Sequence, residues 1–90
     1  MAVPMRIRLG RIIKRTANEL EAYFKGHWIH IQREYDDRFY IRVDAPSGSA
    51  CYDGWWPREP VYPRVEMKEA IEQALRGSLL ITDSKDNKTG

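Results

Sequence analysis

The amino-acid sequence predicts an α+β fold, in which two short helices pack on one face of a three- to four-stranded antiparallel sheet. Between residues 28 and 56, three segments alternate apolar and polar residues and are joined by short turns. Residues 66–76 carry apolar side chains at helical spacing. With 90 residues, of which 42% are hydrophobic, the chain is long enough for one domain and too short for two.

The N-terminal segment combines two competing patterns. Apolar residues alternate with arginines over residues 5–9, which is the periodicity of a strand. The apolar residues between positions 9 and 24 also follow a helical stripe, but a continuous helix would include Gly10 at a cost of about 1 kcal/mol relative to alanine. We therefore predict a strand over residues 5–13.

A short helix is expected over residues 17–25. Thr16 and Glu19 have the spacing of a capping box, in which each side chain bonds a backbone N–H group of the other residue. Lys25 would lie in the last turn and Gly26 would end the helix. Three large side chains would be buried by it: Leu20, Tyr23 and Phe24.

The middle of the chain predicts an antiparallel meander. Residues 28–35, 39–45 and 50–56 are rich in residue types that favour strands, and residues 36–38 and 46–49 have the composition of turns. One face of this sheet would support the helices through five apolar side chains, Ile29, Ile31, Phe39, Ile41 and Val43.

The C-terminal third predicts a connector, a helix and a tail. Prolines at positions 57, 60 and 63 favour a polyproline II connector. The helix at about 66–76 has one apolar stripe: Met67, Ala70, Ile71, Ala74 and Leu75. Residues 79–81 would add a short strand or an anchor. The polar residues 83–90 are expected to be disordered, so the predicted domain covers residues 1–82.

The second face of the sheet has an unusual composition. The first two strands of the meander place Trp28, His30, Gln32, Tyr40, Arg42 and Asp44 on it. The third strand adds either Tyr52 and Trp56 or Cys51, Asp53 and Trp55, depending on its register. Trp, Tyr and Arg are enriched at the centres of protein interfaces. The face is therefore either displayed to a partner or covered by the N-terminal arm or the proline segment as a second small core.

The net charge of +2 hides an uneven distribution. The first fifteen residues contain no acidic residue and five basic ones, Arg6, Arg8, Arg11, Lys14 and Arg15. Such a basic arm suits phosphates, an anionic membrane or an acidic protein surface, and it is also typical of a solvated surface that keeps a protein soluble.

Candidate chemical groups are sparse. Cys51 is the only cysteine, so an internal disulfide is excluded and a reducing, cytoplasmic setting is expected. A thiol nucleophile paired with His30 is disfavoured, because the two residues lie on non-adjacent strands about 10 Å apart. His27 and His30 would point to opposite faces of a strand, which argues against a metal site. No phosphate-binding loop, cofactor motif or membrane-spanning apolar run is present, so we expect neither cofactor nor membrane partner.

Three stretches have the style of small proteins from mobile genetic elements: His27 to Ile31, Tyr52 to Trp56, and Glu69 to Gly77. On these stretches, the region from His27 to Leu80 resembles small α+β proteins encoded by phages and conjugative elements, including anti-CRISPR and related counter-defence inhibitors. The resemblance implies stoichiometric binding rather than catalysis, and it assigns no functional residues.

We therefore expect a non-enzymatic protein that binds a protein or ribonucleoprotein partner. The sequence is also compatible with a homodimer. The expected contact residues are Trp28, His30, Tyr40, Arg42, Trp55 and Trp56 of the sheet and Arg6, Arg8 and Arg11 of the arm. The alternative is a single-stranded nucleic-acid-binding module, in which the rings stack on bases and the arm follows phosphates. A small enzyme using Cys51 and His30 is the third reading.

Overall fold

The structure, a computed structural model, describes residues 7–59 and 64–81. Within these residues, five antiparallel strands form one sheet in the order β1-β2-β3-β4-β5, and one helix packs against it. The elements are β1 (Ile12–Arg15), β2 (Glu19–Phe24), β3 (His27–Tyr35), β4 (Arg38–Asp44), β5 (Ala50–Trp56) and α1 (Met67–Gly77). The α+β class is confirmed, with five strands instead of three or four and one helix in the described part instead of two.

Strand β2 replaces the helix that was expected over residues 17–25, so that prediction is wrong. β2 pairs with β3 along its whole length. Leu20 and Ala22 are fully buried, whereas Glu19 and Glu21 are half-buried on the other face, which gives the segment a period of two. Pairing with β3 satisfies the backbone of this segment and buries its apolar residues, and this tertiary gain outweighs the local helical preference of the sequence.

The apparent capping box is the turn between β1 and β2. The backbone N–H of Glu19 donates to Oγ1 of Thr16 at 2.9 Å, as it would at a helix N-terminus, while the N–H of Thr16 donates to the carbonyl of Glu19 at 2.8 Å. A threonine hydroxyl can cap a turn in the same way as it caps a helix. Arg33 fastens this turn to β3, because its Nε donates to Oδ1 of Asn18 at 3.0 Å and its Nη2 donates to the carbonyl of Ala17 at 3.1 Å.

Lys25 and Gly26 form the two-residue turn between β2 and β3. Their φ angles are 50° and 79°, so both lie in the left-handed region that such hairpins require. Gly26 therefore reverses the chain between two strands instead of ending a helix.

The strand predicted at residues 5–13 is found later, at Ile12–Arg15, where it pairs with β2 and contains a register shift. Before it, the N–H of Gly10 donates to the carbonyl of Tyr23 at 2.7 Å, so the N-terminal segment still runs beside β2. A Cβ on Gly10 would lie 3.0 Å from that carbonyl oxygen, so a larger residue would push the two backbones apart. Residues 5 and 6 lie outside the described part.

The predicted meander of β3, β4 and β5 is confirmed. The register places Ile41 opposite Gly54 and Val43 opposite Tyr52. Because residues directly opposite each other share a face, Tyr52, Gly54 and Trp56 face the helix, whereas Cys51, Asp53 and Trp55 face away from it.

The core lies between the sheet and α1, as predicted. The five apolar residues expected to support the helices are fully buried, and the apolar stripe of α1 is buried against them. Leu80 and Ile81 pack partly buried against this core, whereas Leu79 is 82% exposed, so residues 79–81 form an anchor and no strand. Residues 60–63 of the predicted polyproline connector and the whole predicted tail, residues 83–90, lie outside the described residues.

Candidate binding face

The side of the sheet opposite α1 is here called the open face. Among the described residues, no helix packs on it. By strand alternation and pairing it carries Lys14, Glu19, Glu21, Tyr23, Trp28, His30, Gln32, Tyr35, Arg38, Tyr40, Arg42, Asp44, Cys51, Asp53 and Trp55. Aromatic rings and charged groups are therefore intermixed on this face.

Three rings at one end of the open face form the aromatic cluster: Tyr35, Tyr40 and Trp55. The ring centroids of Tyr40 and Trp55 are 5.3 Å apart with planes at 81°, and those of Tyr35 and Trp55 are 6.2 Å apart. Tyr35 is 62% exposed and Trp55 is 44% exposed. Large rings held this open to solvent are typical of interface hot spots.

A second aromatic group lies at the other end of β3. The rings of Trp28 and His30 are stacked, with centroids 5.6 Å apart and an interplanar angle of 3°. The indole Nε1 of Trp28 donates to Oε2 of Glu21 at 3.0 Å. The Trp28 ring is therefore held in one orientation from two sides.

Glu19 links this group to β1. Its Oε1 accepts from Nζ of Lys14 at 2.9 Å, and its Oε2 lies 3.0 Å from Nε2 of His30. The hydrogen bonds from Lys14 and then His30 lower the pKa of the Glu19 carboxyl below its ordinary value. Because a lowered folded-state pKa favours the carboxylate, this contact stabilises the folded chain at neutral pH and is lost as the pH falls through the folded-state pKa.

On β4 and β5, two carboxylates have different kinds of partner. Nε of Arg42 donates to Oδ1 of Asp44 at 3.0 Å, which forms an ion pair. The hydroxyl of Tyr40 donates to Oδ1 of Asp53, and this bond, with partial burial and the carboxylate charge, raises the pKa of the Tyr40 hydroxyl. Asp53 is therefore held by a neutral donor, like Glu21.

The basic arm and the aromatic cluster do not form one surface. Arg8 and Arg11 are exposed in the segment before β1, and Arg15 lines a groove against α1 on the other side of the sheet. Because β1 and β5 are opposite edges of a five-stranded sheet, four strand spacings, or about 19 Å, separate the arm from Trp55. Arg6 lies outside the described residues.

The structure places the other predicted contact residues as follows. Trp28, His30, Tyr40, Arg42 and Trp55 share the open face, whereas Trp56 lies on the helix side and packs partly buried against the core. Trp56 is therefore not part of this face.

The side chains considered for a thiol nucleophile or a metal site are not brought together in the structure. Cys51 is exposed on β5 and His30 lies on β3, with β4 between them. His27 bonds the carbonyl of Lys25 at 3.0 Å and lies on the opposite face from His30, as predicted. Within residues 7–59 and 64–81, no group of three metal-ligating side chains is assembled, and no helix there is long and apolar enough to cross a membrane.

Glu21, Tyr23 and Tyr35 are among the residues of the open face that were not predicted as contacts. The first two fell inside the expected helix, although the alternation of Leu20 and Ala22 with polar neighbours contains the strand signal. Tyr35 reaches Trp55 only through the register shift between Arg33 and Tyr35, which no sequence pattern marks.

Comparisons with protein-family models, with curated protein sequences and with solved structures gave no match for this chain. The proposal for its function therefore rests on the open face itself.

Proposed function

We propose that this chain is a non-enzymatic binding protein that docks a protein partner, alone or within a ribonucleoprotein, on the open face of its sheet. The observation that carries the proposal is the aromatic cluster: Tyr35 and Trp55 are large rings, 62% and 44% exposed, on a face that no described helix covers. Burying such rings against a partner removes apolar surface from water, and rigid rings lose little conformational entropy on binding.

Charge favours a protein over a nucleic acid. The open face carries the carboxylates of Glu19, Glu21, Asp44 and Asp53, interleaved with the rings on which bases would stack. A phosphate backbone crossing this face would meet these carboxylates at close range, and like charges repel strongly when water is displaced. A protein surface can supply complementary groups instead.

The arm has a secondary part in this proposal. Arg8 and Arg11 are exposed beside β1, at the far edge from Trp55. Cations at the rim of an interface mainly accelerate encounter with an acidic surface and contribute little to holding the complex. Neutralising both should therefore slow association more than it speeds dissociation.

The class of partner follows from the resemblance to counter-defence inhibitors and not from the site. This resemblance suggests that the partner is a defence complex of the host cell, whose activity the chain would block by occupying a surface of that complex. A plasmid- or phage-interference assay in a host with an active CRISPR system tests this directly, since expression of the chain should restore plasmid uptake or phage growth, and unchanged interference would contradict the inhibitor role.

The experiment that tests the binding function is capture of the partner by the full-length chain from its source cell, with and without nuclease. The partner should remain bound to the wild-type chain after nuclease treatment, and the Trp55→Ala variant should fail to capture it. Glu69→Gln, which changes a charge on α1 on the opposite side of the sheet, is the matched control and should retain it. Loss of the partner on nuclease treatment, together with steep salt dependence, would favour nucleic acid and contradict the proposal.

A further inference from the structure

We infer that two copies of this chain pair through the outer edges of their β5 strands, antiparallel about Gly54. This pairing joins the five strands of each copy into one ten-stranded sheet. The inference goes beyond the proposed function, because it rests on the backbone edge of β5 and not on the rings of the open face.

The outer edge of β5 is open for pairing. β5 pairs with β4 on one side, and within residues 7–59 and 64–81 no strand pairs with its other side. The chain that follows β5 turns inward, since Nη2 of Arg38 on β4 donates to the carbonyl of Arg58 at 3.1 Å. A groove lies at this edge, and its lining residues are Arg38, Tyr52, Asp53, Gly54, Trp55 and Arg58.

Alternate residues of β5 direct their backbone groups outward. The N–H of Ala45 donates to the carbonyl of Ser49 at 2.8 Å, so the odd-numbered residues of β4 bond β5. Successive residues of a strand bond alternately to its two neighbours, so the residues that bond β4 are Tyr52, Gly54 and Trp56. The groups left for a further strand are the N–H and C=O of Cys51, Asp53 and Trp55.

The opposite edge of the sheet is protected against pairing, whereas β5 is not. β1 has four residues, contains a register shift and carries Lys14 and Arg15. Short, irregular and basic edge strands prevent unwanted pairing between chains. β5 has seven residues, and its pairing with β4 has no shift from Tyr52 to Trp56. Pairing between copies is therefore expected at β5.

Gly54 identifies the centre of the pairing. A Cβ on Gly54 would have no neighbour within 4 Å, and its φ lies outside the left-handed region, so a single chain does not require glycine here. Glycine inside a strand often marks a place where another backbone approaches closely. A twofold axis at Gly54 brings the two glycine Cα atoms to about 4.5 Å, the closest spacing in an antiparallel pair. Asp53 of each copy then exchanges backbone hydrogen bonds with Trp55 of the other.

The charges of the groove are self-complementary about this axis. Asp53 lies on one side of Gly54, whereas Arg38 and Arg58 lie towards the other end of β5. Among the described residues neither arginine forms an ion pair, and the bond that Tyr40 donates to Asp53 uses only Oδ1. Antiparallel pairing about Gly54 brings the arginines of each copy towards Asp53 of the other. An axis at Asp53 would instead place two carboxylates directly opposite each other, which destabilises a strand pair.

The twofold axis is perpendicular to the sheet, so both copies keep α1 on the same side. The two open faces then adjoin on the other side. The dimer therefore presents two aromatic clusters to a partner on one continuous surface.

Sedimentation of the full-length chain over a concentration series tests the inference. We expect the mass to rise with concentration towards twice the chain mass of 10.6 kDa. Asp53→Lys and Arg58→Glu should each weaken dimerisation by about tenfold, because two exposed ion pairs are lost at once. An equimolar mixture of these two variants should dimerise as the wild type does, since each lysine then meets a glutamate. Glu69→Lys makes the same charge reversal on α1 and should change nothing.

A disulfide tests the register. In a Cys51→Ser background, Gly54→Cys places one thiol of each copy at the axis, and the new Cβ contacts nothing within the chain. Paired β strands hold such residues within the Cα separation that a disulfide needs. With oxidised glutathione as the oxidant, this variant should form a covalent dimer. The wild-type chain should not, because Cys51 lies away from the axis.

A chain that stays monomeric up to millimolar concentration would overturn the inference. So would a dimer that neither charge reversal weakens, or a folded Gly54→Cys variant that does not form the covalent dimer. The proposed function is decided separately by capture of the partner. A monomeric chain that captures its partner through Trp55 leaves that function standing, whereas a dimer that captures none leaves only the inference.

Discussion

The rings of Tyr40 and Trp55 meet edge to face across β4 and β5, with centroids 5.3 Å apart and planes at 81°. Trp55 remains 44% exposed in this arrangement, although large aromatic side chains are usually buried. The contact therefore orients the rings on the surface and contributes only part of what a core ring would contribute to stability.

This exposure predicts a small stability effect for Trp55→Ala. Trp55→Ala removes ring contacts worth about 0.5–1.5 kcal/mol beyond the area that they bury, and only part of the indole is buried, so the variant should lose less stability than one that lacks a fully buried ring. Phe39→Ala, which removes a fully buried ring from the other face, should cost about 3–5 kcal/mol. Urea denaturation of both variants gives the comparison. Equal losses would mean that the face around Trp55 is covered in solution.

The bond between Tyr40 and Asp53 predicts a pH effect. Because this bond raises the pKa of the Tyr40 hydroxyl, folding favours the neutral phenol. Its contribution to stability is present below the ordinary pKa of tyrosine and is lost as the pH rises through the raised folded-state pKa.

In Asp53→Asn, the pKa of Tyr40 should fall towards its ordinary value, since the carboxylate charge is removed. The ring ¹³C signal of Tyr40, assigned with Tyr40→Phe, follows this titration. An unchanged pKa in Asp53→Asn would show that this carboxylate does not hold the hydroxyl.

The packing of α1 predicts that its apolar stripe supports the sheet. Leu75 is fully buried and Ile71 is 3% exposed. Truncating either residue to alanine should lower the free energy of unfolding by about 2–5 kcal/mol, which is a large part of the stability of a domain this small. Thermal unfolding followed by circular dichroism measures the loss. A melting temperature close to that of the wild type would contradict the placement of α1.

Gly77, the last residue of α1, lies against the ring of Tyr52. A Cβ on Gly77 would fall 2.6 Å from Cδ2 of Tyr52, while Tyr52 is also fixed by the bond that Gln73 donates to its hydroxyl at 3.2 Å. Gly77→Ala should therefore destabilise the chain, although alanine ordinarily stabilises a helix by about 1 kcal/mol relative to glycine.

A double-mutant cycle separates the two effects. In a Tyr52→Ala background, Gly77→Ala should become neutral or stabilising, because the ring is absent. A loss of the same size in both backgrounds would show that the ring is not the cause.

The sequence was sufficient for the parts of the fold where one pattern dominates. Residues 28–56 alternate without competition, and the stripe of α1 fits only a helix, so both were predicted correctly. The prediction of a helix over residues 17–25 was wrong because Thr16 and Glu19 make the same hydrogen bond in a hairpin turn as in a helix cap. Local chemistry left the choice open, and pairing with β3 decided it.

The residues of the open face could be predicted only in part, for a similar reason. Alternation places Trp28, His30, Tyr40 and Arg42 on one face, but the register of β5 decides whether Trp55 or Trp56 joins them. Tyr35 lies on this face because of a register shift in β3. Glu21 lies on it because residues 19–24 form a strand and not the expected helix. Each of these depends on contacts between strands and not on the local sequence.

The most direct test of the central claim, that the open face binds a protein partner, is the dissociation constant of the purified complex measured by calorimetry. Once the captured partner is identified, the wild type, the double variant Tyr35→Ala/Trp55→Ala and the control Glu69→Gln are titrated under the same conditions. We expect the double variant to bind at least about 30-fold more weakly, corresponding to roughly 2 kcal/mol, while the control binds as the wild type does. A double variant that remains folded and binds as tightly as the wild type would contradict the claim.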